Sequence, residues 1–261
     1  MPAATYVTDF AVHRQWVVPG VDALLAPHPV GAGQARALGA DWGSALAAGV
    51  LVNPSFRPPT SAEKVAARGV FGLPEGPLAL VTAGSWGVGQ VEQAAAEIQA
   101  SGVVTPVVVC GRNTHLRERL ARAGLPALGW VEDMATLMKG VDVLVQNAGG
   151  LTSLEGMASG LPVATYRPIP GHGMRAAATL AHAGISTWIR HPGELAPTLR
   201  ELLGGTLREQ QRRAAEPMLR ADPAALVARL ARPQSHPHGR RREWRTRDTA
   251  DRPRPLLVTE D

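Results

Sequence analysis

A single stretch, Gln146 to Glu155, combines the groups that a phosphate-bearing ligand needs. Its glycine pair, Gly149 and Gly150, lets the backbone approach a ligand closely, and a helix starting just afterwards offers free N–H groups and a dipole that favour an anion. Thr152 is placed to cap that helix, and Glu155 to bridge the two hydroxyls of a ribose. The alternative is an ordinary strand-to-helix turn with a solvated glutamate, because short glycine motifs often match by chance.

The elements that must position this stretch are a strand before it and a helix after it. Val141–Val145 is an apolar run typical of a buried strand, and Ser153–Ser159 predicts a helix. From Ser61 onward, strand-like and helix-like segments alternate repeatedly, which predicts an α/β fold with a doubly wound parallel sheet. Ligands of such sheets bind beyond the carboxyl ends of the strands, so the turns at those ends should line one site.

Those other turns also carry suitable groups. Glycines there permit a positive φ, and consecutive N–H groups can form an anion-binding concavity. One of these turns contains an arginine, whose positive charge can offset that of a phosphate. Several turns with such groups along one edge of the sheet favour a nucleotide-like ligand. The candidate residues in these turns are Gly84, Ser85, Gly87, Arg112, Val131, His172, Gly173 and Met174.

Composition limits the class of protein. With 261 residues and 45% hydrophobic content, the chain can bury a sizeable core, and it has no apolar run of membrane-spanning length and no signal peptide. The single cysteine, Cys110, excludes an internal disulfide framework and a multi-cysteine metal site, and its apolar neighbours predict a buried thiol. We therefore expect a cytoplasmic protein.

Three regions follow from these patterns. Residues 1–60 hold only short strands, which cannot cover both faces of a parallel sheet, so we expect the remnant of a first domain plus a proline-rich linker. Residues 61–230 form the regular α/β domain. The segment 231–261 is rich in Arg, Pro and His and is predicted to be a disordered basic tail, able to meet anionic lipid or nucleic acid only non-specifically. No specific nucleic-acid motif occurs elsewhere.

In its combined motifs the sequence resembles the GT-B glycosyltransferases that include the peptidoglycan lipid-intermediate N-acetylglucosaminyltransferase and the monogalactosyl- and glucosyl-diacylglycerol synthases. The resemblance covers about residues 5 to 203. Thr8-Asp9-Phe10, with His13 and Trp16, is similar to the diacylglycerol-synthase branch near the end of its first domain. The other matching segments are Ala83–Gly87, Gly129–Met134, Gln146–Glu155, Ser159–Val163 and Pro170–Gly173.

The resemblance implies a UDP-sugar site in a C-terminal, Rossmann-like half of the GT-B fold. Glu155 would hold the ribose hydroxyls and the Val131 backbone would meet the uracil. The residues around the diphosphate would be Gly84, Ser85, Gly149 and Gly150, and those near the sugar His172, Gly173 and Met174. Ala176 stands where the family usually has a sugar-contacting Asn. The family's glycine-rich first turn and nearby catalytic base have no counterpart in this chain.

An inverting transfer needs a base for the acceptor hydroxyl and a site that stabilises the departing UDP. His13 is the candidate base, although a lone histidine is more often structural. No Asp-x-Asp pair occurs, so we predict neither a metal nor a cofactor besides the UDP-sugar co-substrate. Trp16, Trp86 and Trp130 are expected in the core, with an acceptor cleft as the alternative.

The leading hypothesis is a hexosyltransferase that moves a sugar from a UDP-sugar to a lipid-linked acceptor, with this chain carrying mainly the donor site. One alternative is the donor-binding subunit of a split transferase whose partner chain supplies the acceptor half. Another is an inactive UDP-sugar-binding remnant, and an epimerase of the same fold is a further rival. The family suggests peripheral association with the inner face of a membrane.

Overall fold

The computed structural model describes residues 3–41, 43–82 and 84–231, which contain two parallel sheets. The first sheet has the order β1-β2-β3 and the second the order β6-β5-β4-β7-β8-β9. The strands are β1 Ala4–Tyr6, β2 Ala23–Ala26, β3 Ala45–Ala47, β4 Leu78–Thr82, β5 Thr105–Val109, β6 Ala127–Leu128, β7 Val143–Gln146, β8 Val163–Tyr166 and β9 Thr187–Ile189.

Helices connect the strands and cover the larger sheet. Short 3-10 turns occupy Arg14–Trp16 and Pro192–Glu194. The helices are α1 Pro29–Ala37, α2 Ser61–Phe71, α3 Val91–Ala100, α4 Thr114–Arg122, α5 Met134–Gly140, α6 Leu151–Ala158, α7 His172–His182, α8 Leu195–Gly204, α9 Thr206–Arg220 and α10 Pro223–Ala231.

The order of the larger sheet confirms the predicted doubly wound fold. The chain builds β4, β5 and β6 outward in one direction, then returns to place β7 on the other side of β4 and continues outward. The strand order therefore reverses between β4 and β7, where doubly wound sheets open a crevice at their carboxyl ends. Both strands are buried along their whole length, which explains their near-continuous apolar sequences. Cys110, next to β5, is likewise buried as predicted.

The first sheet departs from the predicted boundaries. The apolar segment 48–52 favours a strand, but β3 ends at Ala47, and after Ala48, whose N donates to Ala26 O of β2, the backbone no longer pairs with a neighbouring strand. Val50 N donates to Met218 O at 3.0 Å, and Leu51 N donates to the Tyr6 hydroxyl at 2.9 Å. The segment 6–10 also favours a strand, but β1 spans Ala4–Tyr6. Short edge strands such as these depend on tertiary partners that local sequence does not reveal.

Residues up to 231 form one compact unit in which the two sheets share contacts. Phe10, which follows β1, is 1% exposed and packs among core residues of the larger sheet. The Gln34 amide accepts from Val12 N at 2.9 Å and donates to Thr179 Oγ1 on α7 at 3.1 Å. Leu226 and Leu230 of α10 pack against the first sheet. A domain boundary near residue 60 stays a prediction, and residues 232–261 of the predicted tail lie outside the described residues.

None of the helices within the described ranges is both long enough and apolar enough to cross a bilayer.

The start of β7 is tied to α2 by one carboxylate, which yields a stability prediction. Asp142 accepts from Arg68 at 3.0 Å and from Leu78 N at 2.8 Å, and it also pairs with Lys64. Replacing Asp142 with Ala leaves these donors unpaired, and we expect a loss of about 2 kcal/mol in the free energy of unfolding, discounted for partial exposure. Urea unfolding of wild type and Asp142→Ala measures this loss in the free energy of unfolding.

The matched control is Glu118→Ala, which removes an exposed carboxylate from the surface of α4. We expect it to change the unfolding free energy by less than about 0.5 kcal/mol. Equal losses in both variants would show that the Asp142 cluster contributes no specific stability.

Candidate functional site

A cleft of about 560 Å³ opens at the carboxyl edge of the larger sheet, next to the point where the strand order reverses. Its walls come from the ends of β4 and β5, the start of α5, the start of α6 and the segment that precedes α2. The cleft contains five of the predicted site residues, namely Gly84, Ser85, Val131, Thr152 and Glu155. It also includes Asn53, Ser55 and Phe56, which the sequence analysis assigned only to a linker.

Glu155 is the chemically most distinctive group in this cleft. Its side chain is partly buried, and within the described ranges no hydrogen bond or ion pair satisfies the carboxylate. Burial raises the pKa of the Glu155 carboxyl above its ordinary value, because desolvation disfavours the charged form. An acceptor-only carboxylate without a partner matches a ligand that brings two neighbouring hydroxyl donors, as a ribose does.

The start of α6 supplies donors beside this carboxylate. Gly150 is the N-cap of α6 and Leu151 its first residue, so the first turn points its N–H groups out of the helix without a side-chain cap. The prediction that Thr152 caps the helix is wrong. The helix begins two residues earlier than expected, which places Thr152 inside the first turn and in the wall of the cleft.

The turn before α6 is fixed by Gln146, a residue to which the sequence analysis gave no separate role. Its Oε1 accepts from Ala148 N at 2.7 Å and from Gly149 N, and its Nε2 donates to Thr165 Oγ1 at 2.6 Å. The side chain is 3% exposed. Buried and hydrogen-bonded through both amide atoms, it sets the direction from which the chain enters α6.

Gly149 lies against α7. It has a φ of +83°, and a Cβ there would lie 2.8 Å from Ala176 Cβ of α7. The same crowding accounts for Ala176, which stands at the position where the resembling family has an Asn and is fully buried against Gly149. The close approach that requires glycine is therefore between the turn before α6 and helix α7.

The loops after β4 and β5 lie against each other at the rim. Arg112 N donates to Ser85 O at 2.8 Å, and the Arg112 guanidinium lies 5.0 Å from the centre of the Trp130 ring. Gly87 packs under Cys110 O, away from the cleft. Arg112 is thus a rim cation held over an aromatic ring, within side-chain reach of an anion at the cleft mouth.

Two of the three tryptophans that were expected in the core are exposed, whereas Trp16 is partly buried against the core of the first sheet. Trp86 is 68% exposed and Trp130 is 51% exposed, and Trp130 lines the cleft with its Nε1 donating to Glu132 at 2.7 Å. Val131 also lines the cleft; it is partly buried against the core and lies close to Asp133, which caps α5. An apolar wall of this kind suits a planar base.

His172, Gly173 and Met174 form the first turn of α7, adjoining the cleft rather than lining it. Gly173 is buried against Asn147 O, and Met174 is 46% exposed. The His172 imidazole is partly exposed, and its Nε2 lies 2.9 Å from Oδ2 of Asp9, which follows β1 of the first sheet. Sequence analysis quoted Asp9 only as part of the Thr8-Asp9-Phe10 motif and gave it no role.

His13, the candidate base, has a local structural function. Its Nδ1 accepts from Gln15 N at 3.3 Å and so caps the 3-10 turn, while its ring lies 6.0 Å from that of Trp16. Trp16 in turn meets His172 edge-on at 5.7 Å. His13 therefore reaches the sugar end only through Trp16, and its role as a base stays a prediction.

A second cavity of about 630 Å³ lies under the segment 50–58, between the end of α6 and α9. It is larger than the cleft, but it is set at the opposite, amino-terminal edge of the sheet and is lined mainly by apolar side chains. It contains none of the predicted site residues. In the described part of the chain, no three His, Cys, Asp or Glu side chains group closely enough to hold a metal ion.

Comparison with known proteins bears on this geometry. No protein-family model matches the chain. The processive diacylglycerol β-glucosyltransferase of Bacillus pumilus is 28% identical over 179 residues, covering 66% of this chain and 46% of that protein. Its counterpart in Bacillus subtilis is 28% identical over 211 residues, covering 78% of this chain and 55% of that protein. The chain spans about half the length of these relatives.

Solved structures share the fold at lower identity. Anabaena HepE, solved with UDP and glucose, superposes with a TM-score of 0.59 at 15% identity, over 88% of this chain and 70% of that one. WaaG, a glycosyltransferase involved in lipopolysaccharide biosynthesis, gives a TM-score of 0.55 at 20% identity, over 80% of this chain and 62% of that one.

Fold and motifs together define the class: the chain has the Rossmann-like α/β fold of the GT-B glycosyltransferases. Within that class, its sequence relatives are diacylglycerol glucosyltransferases, which confirms the resemblance that the motifs predicted.

Because Glu155 has no partner among the described residues, its carboxylate should destabilise the ligand-free protein. We expect Glu155→Gln to raise the melting temperature at neutral pH by up to about 3 °C, because it removes a desolvated charge from the folded state. Since the folded-state pKa is raised, the gain should be complete above that pKa and disappear below the ordinary carboxyl pKa of about 4.3.

Calorimetric melts of wild type, Glu155→Gln and the exposed control Glu118→Gln across this pH range measure the effect. A Glu155→Gln melting temperature that falls at neutral pH would mean that the carboxylate has a stabilising partner in the native protein.

Proposed function

We propose that this chain binds a UDP-sugar in the cleft beside α6 and forms the donor side of a hexosyltransferase that acts on a lipid-linked acceptor. The observation that supports it most is the half-buried Glu155 carboxylate, unpaired within the described residues and one turn into a helix whose first N–H groups are uncapped. A nucleoside diphosphate supplies what each group lacks: a hydroxyl pair for the carboxylate and an anion for the helix start.

The nucleotide would lie along the cleft with its ribose on Glu155. The base would rest against Val131 and Trp130, and the diphosphate would extend past Ser85 toward the start of α6. The sugar would then lie near the first turn of α7, beside His172. This arrangement keeps the earlier site assignments, and Gly87, Gly149 and Gly173 additionally lie against protein groups where a Cβ would not fit.

The relatives support the proposed acceptor and transfer reaction. The curated relatives are named as processive diacylglycerol β-glucosyltransferases, which favours a glucosyl donor and a membrane lipid acceptor, and hence peripheral association with a membrane surface. A donor-binding subunit that works with a partner chain is the second candidate. No metal or cofactor is proposed beyond the UDP-sugar.

The ribose assignment is tested by calorimetry with UDP and 2′-deoxy-UDP. Charged hydrogen bonds to a diol contribute on the order of 1.5–3 kcal/mol, so Glu155→Gln should bind UDP roughly 10- to 150-fold more weakly than wild type. Removing the 2′-hydroxyl should weaken binding to wild type, whereas Glu155→Gln should scarcely distinguish the two ligands.

Glu118→Gln, with its exposed carboxylate on α4, should bind both ligands as wild type does. If the preference for UDP over 2′-deoxy-UDP is no stronger in wild type than in Glu155→Gln, the ribose lies elsewhere and the proposed pose is wrong.

The transferase hypothesis predicts a glycolipid product. Incubated with UDP-glucose and vesicles containing diacylglycerol, the chain should release UDP and form glucosyl-diacylglycerol, and Glu155→Gln should lower the rate at subsaturating donor because it binds UDP less well. Thin-layer chromatography with labelled UDP-glucose follows the lipid, and UDP-galactose and UDP-N-acetylglucosamine test the sugar.

Donor binding without a lipid product would instead support the donor-subunit or inactive alternatives. Recovery of activity on adding a co-purifying partner chain separates those two. Interconversion of the free UDP-sugars without transfer would point to an epimerase.

A further inference from the structure

Asp9 and His172 bring the first sheet into contact with the sugar end of the proposed site. They are 163 positions apart in sequence, yet Asp9 Oδ2 and His172 Nε2 are 2.9 Å apart. The Asp9 side chain is 15% exposed and that of His172 is 37% exposed, so the pair is shielded more than a surface ion pair. The other Asp9 oxygen accepts from Ala11 N at 3.3 Å, which fixes the carboxylate on its own loop.

The chemistry of the pair defines which histidine nitrogen is free. An ionised carboxylate can only accept hydrogen bonds, so the Nε2 of His172 must carry the proton that lies between the two groups. This leaves Nδ1 as the ring atom available to another partner. Histidines held in one tautomer by a carboxylate on the opposite ring nitrogen are a recurring device in binding and catalytic sites.

The surroundings hold the imidazole in place on two further sides. The Trp16 ring meets the imidazole edge-on, with 5.7 Å between the two ring centres. His172 itself is the first residue of α7, which fixes its backbone. Gly150, the N-cap of α6, faces the carboxylate: a Cβ at that position would lie 3.8 Å from Asp9 Oδ2. Asp9 thus stands between the starts of α6 and α7, the two helices whose first turns adjoin the proposed diphosphate and sugar.

We infer that Asp9 is a positioning residue for the donor sugar, because it holds the His172 imidazole at the start of α7 with Nε2 protonated and Nδ1 presented to a sugar hydroxyl. This inference rests on the proposed function and adds a residue from the first sheet to it. Asp9 acts through His172 and does not itself touch the nucleotide. Its loss should therefore affect the sugar part of the donor and leave the UDP part unchanged.

Calorimetry of UDP and UDP-glucose on wild type and Asp9→Asn tests this division. An asparagine can accept from Nε2 or donate to it, so it no longer selects one tautomer. We expect Asp9→Asn to weaken UDP-glucose binding by about tenfold, the scale of one charge-assisted hydrogen bond, and to change UDP binding by less than about twofold. The exposed Asp41→Asn, also on the first-sheet side, should change neither.

Nitrogen-15 NMR of the imidazole gives a readout that a merely structural role would not move. Wild-type His172, assigned by comparison with His172→Gln, should show Nε2 protonated, and Asp9→Asn should show a mixture of tautomers. Asp9→Glu keeps the carboxylate and should keep the wild-type tautomer, so it serves if Asp9→Asn fails to fold.

Three results would overturn the inference: His172 protonated mainly at Nδ1 in wild type, equal losses of UDP and UDP-glucose affinity in Asp9→Asn, or no loss of either. A wild-type chain that binds neither ligand would overturn the proposed function itself. If wild type binds UDP and any of the first three results is obtained, only the role of Asp9 is overturned.

Discussion

The rest of the site depends on Glu155, a half-buried carboxylate that has no partner among the residues that the structure describes. A protein normally pairs or exposes a glutamate, because desolvating an unpaired charge opposes folding. Here Glu155 is half-buried at the start of α6, and the surrounding fold holds it there: Gln146 fixes the turn, and Gly149 lets α7 pack close behind it. Sites that violate the rule of paired buried charge are often ligand sites, since the ligand completes the pairing.

The larger sheet could be predicted from sequence because its strands are covered by helices on both faces. Such strands are short apolar runs bounded by glycine. The runs that form β4, β5, β7 and β8 have this pattern, which is typical of buried strands. Once the alternation is recognised, topology places all the carboxyl-end turns on one edge. Gly84, Ser85, Val131, Thr152 and Glu155 then lie together without any knowledge of side-chain contacts.

The errors fall where distant partners decide the structure. Residues 48–52 resemble a strand, but Val50 and Leu51 bond to α9 and to Tyr6 instead of a neighbouring strand. Thr152 was a plausible cap, yet the chain enters α6 early because Gln146 holds the preceding N–H groups. The contact between Asp9 and His172 depends on how two sheets pack, and no local pattern encodes it. What local sequence did offer was an acidic residue in the loop after a first-sheet strand.

The contacts between the sheets decide how the first sheet should be regarded. Treated alone, its three short strands contribute no binding group. Phe10 is buried in the core of the larger sheet, α10 returns to cover the first sheet, and Asp9 reaches the first turn of α7. These contacts bring the first sheet against the first turn of α7. If the donor sugar lies beside His172 as proposed, a shift of the first sheet relative to the larger one would alter the sugar end before the nucleotide end. The proposed site would then recognise UDP mainly through the turns of the larger sheet, and the sugar through residues of both sheets.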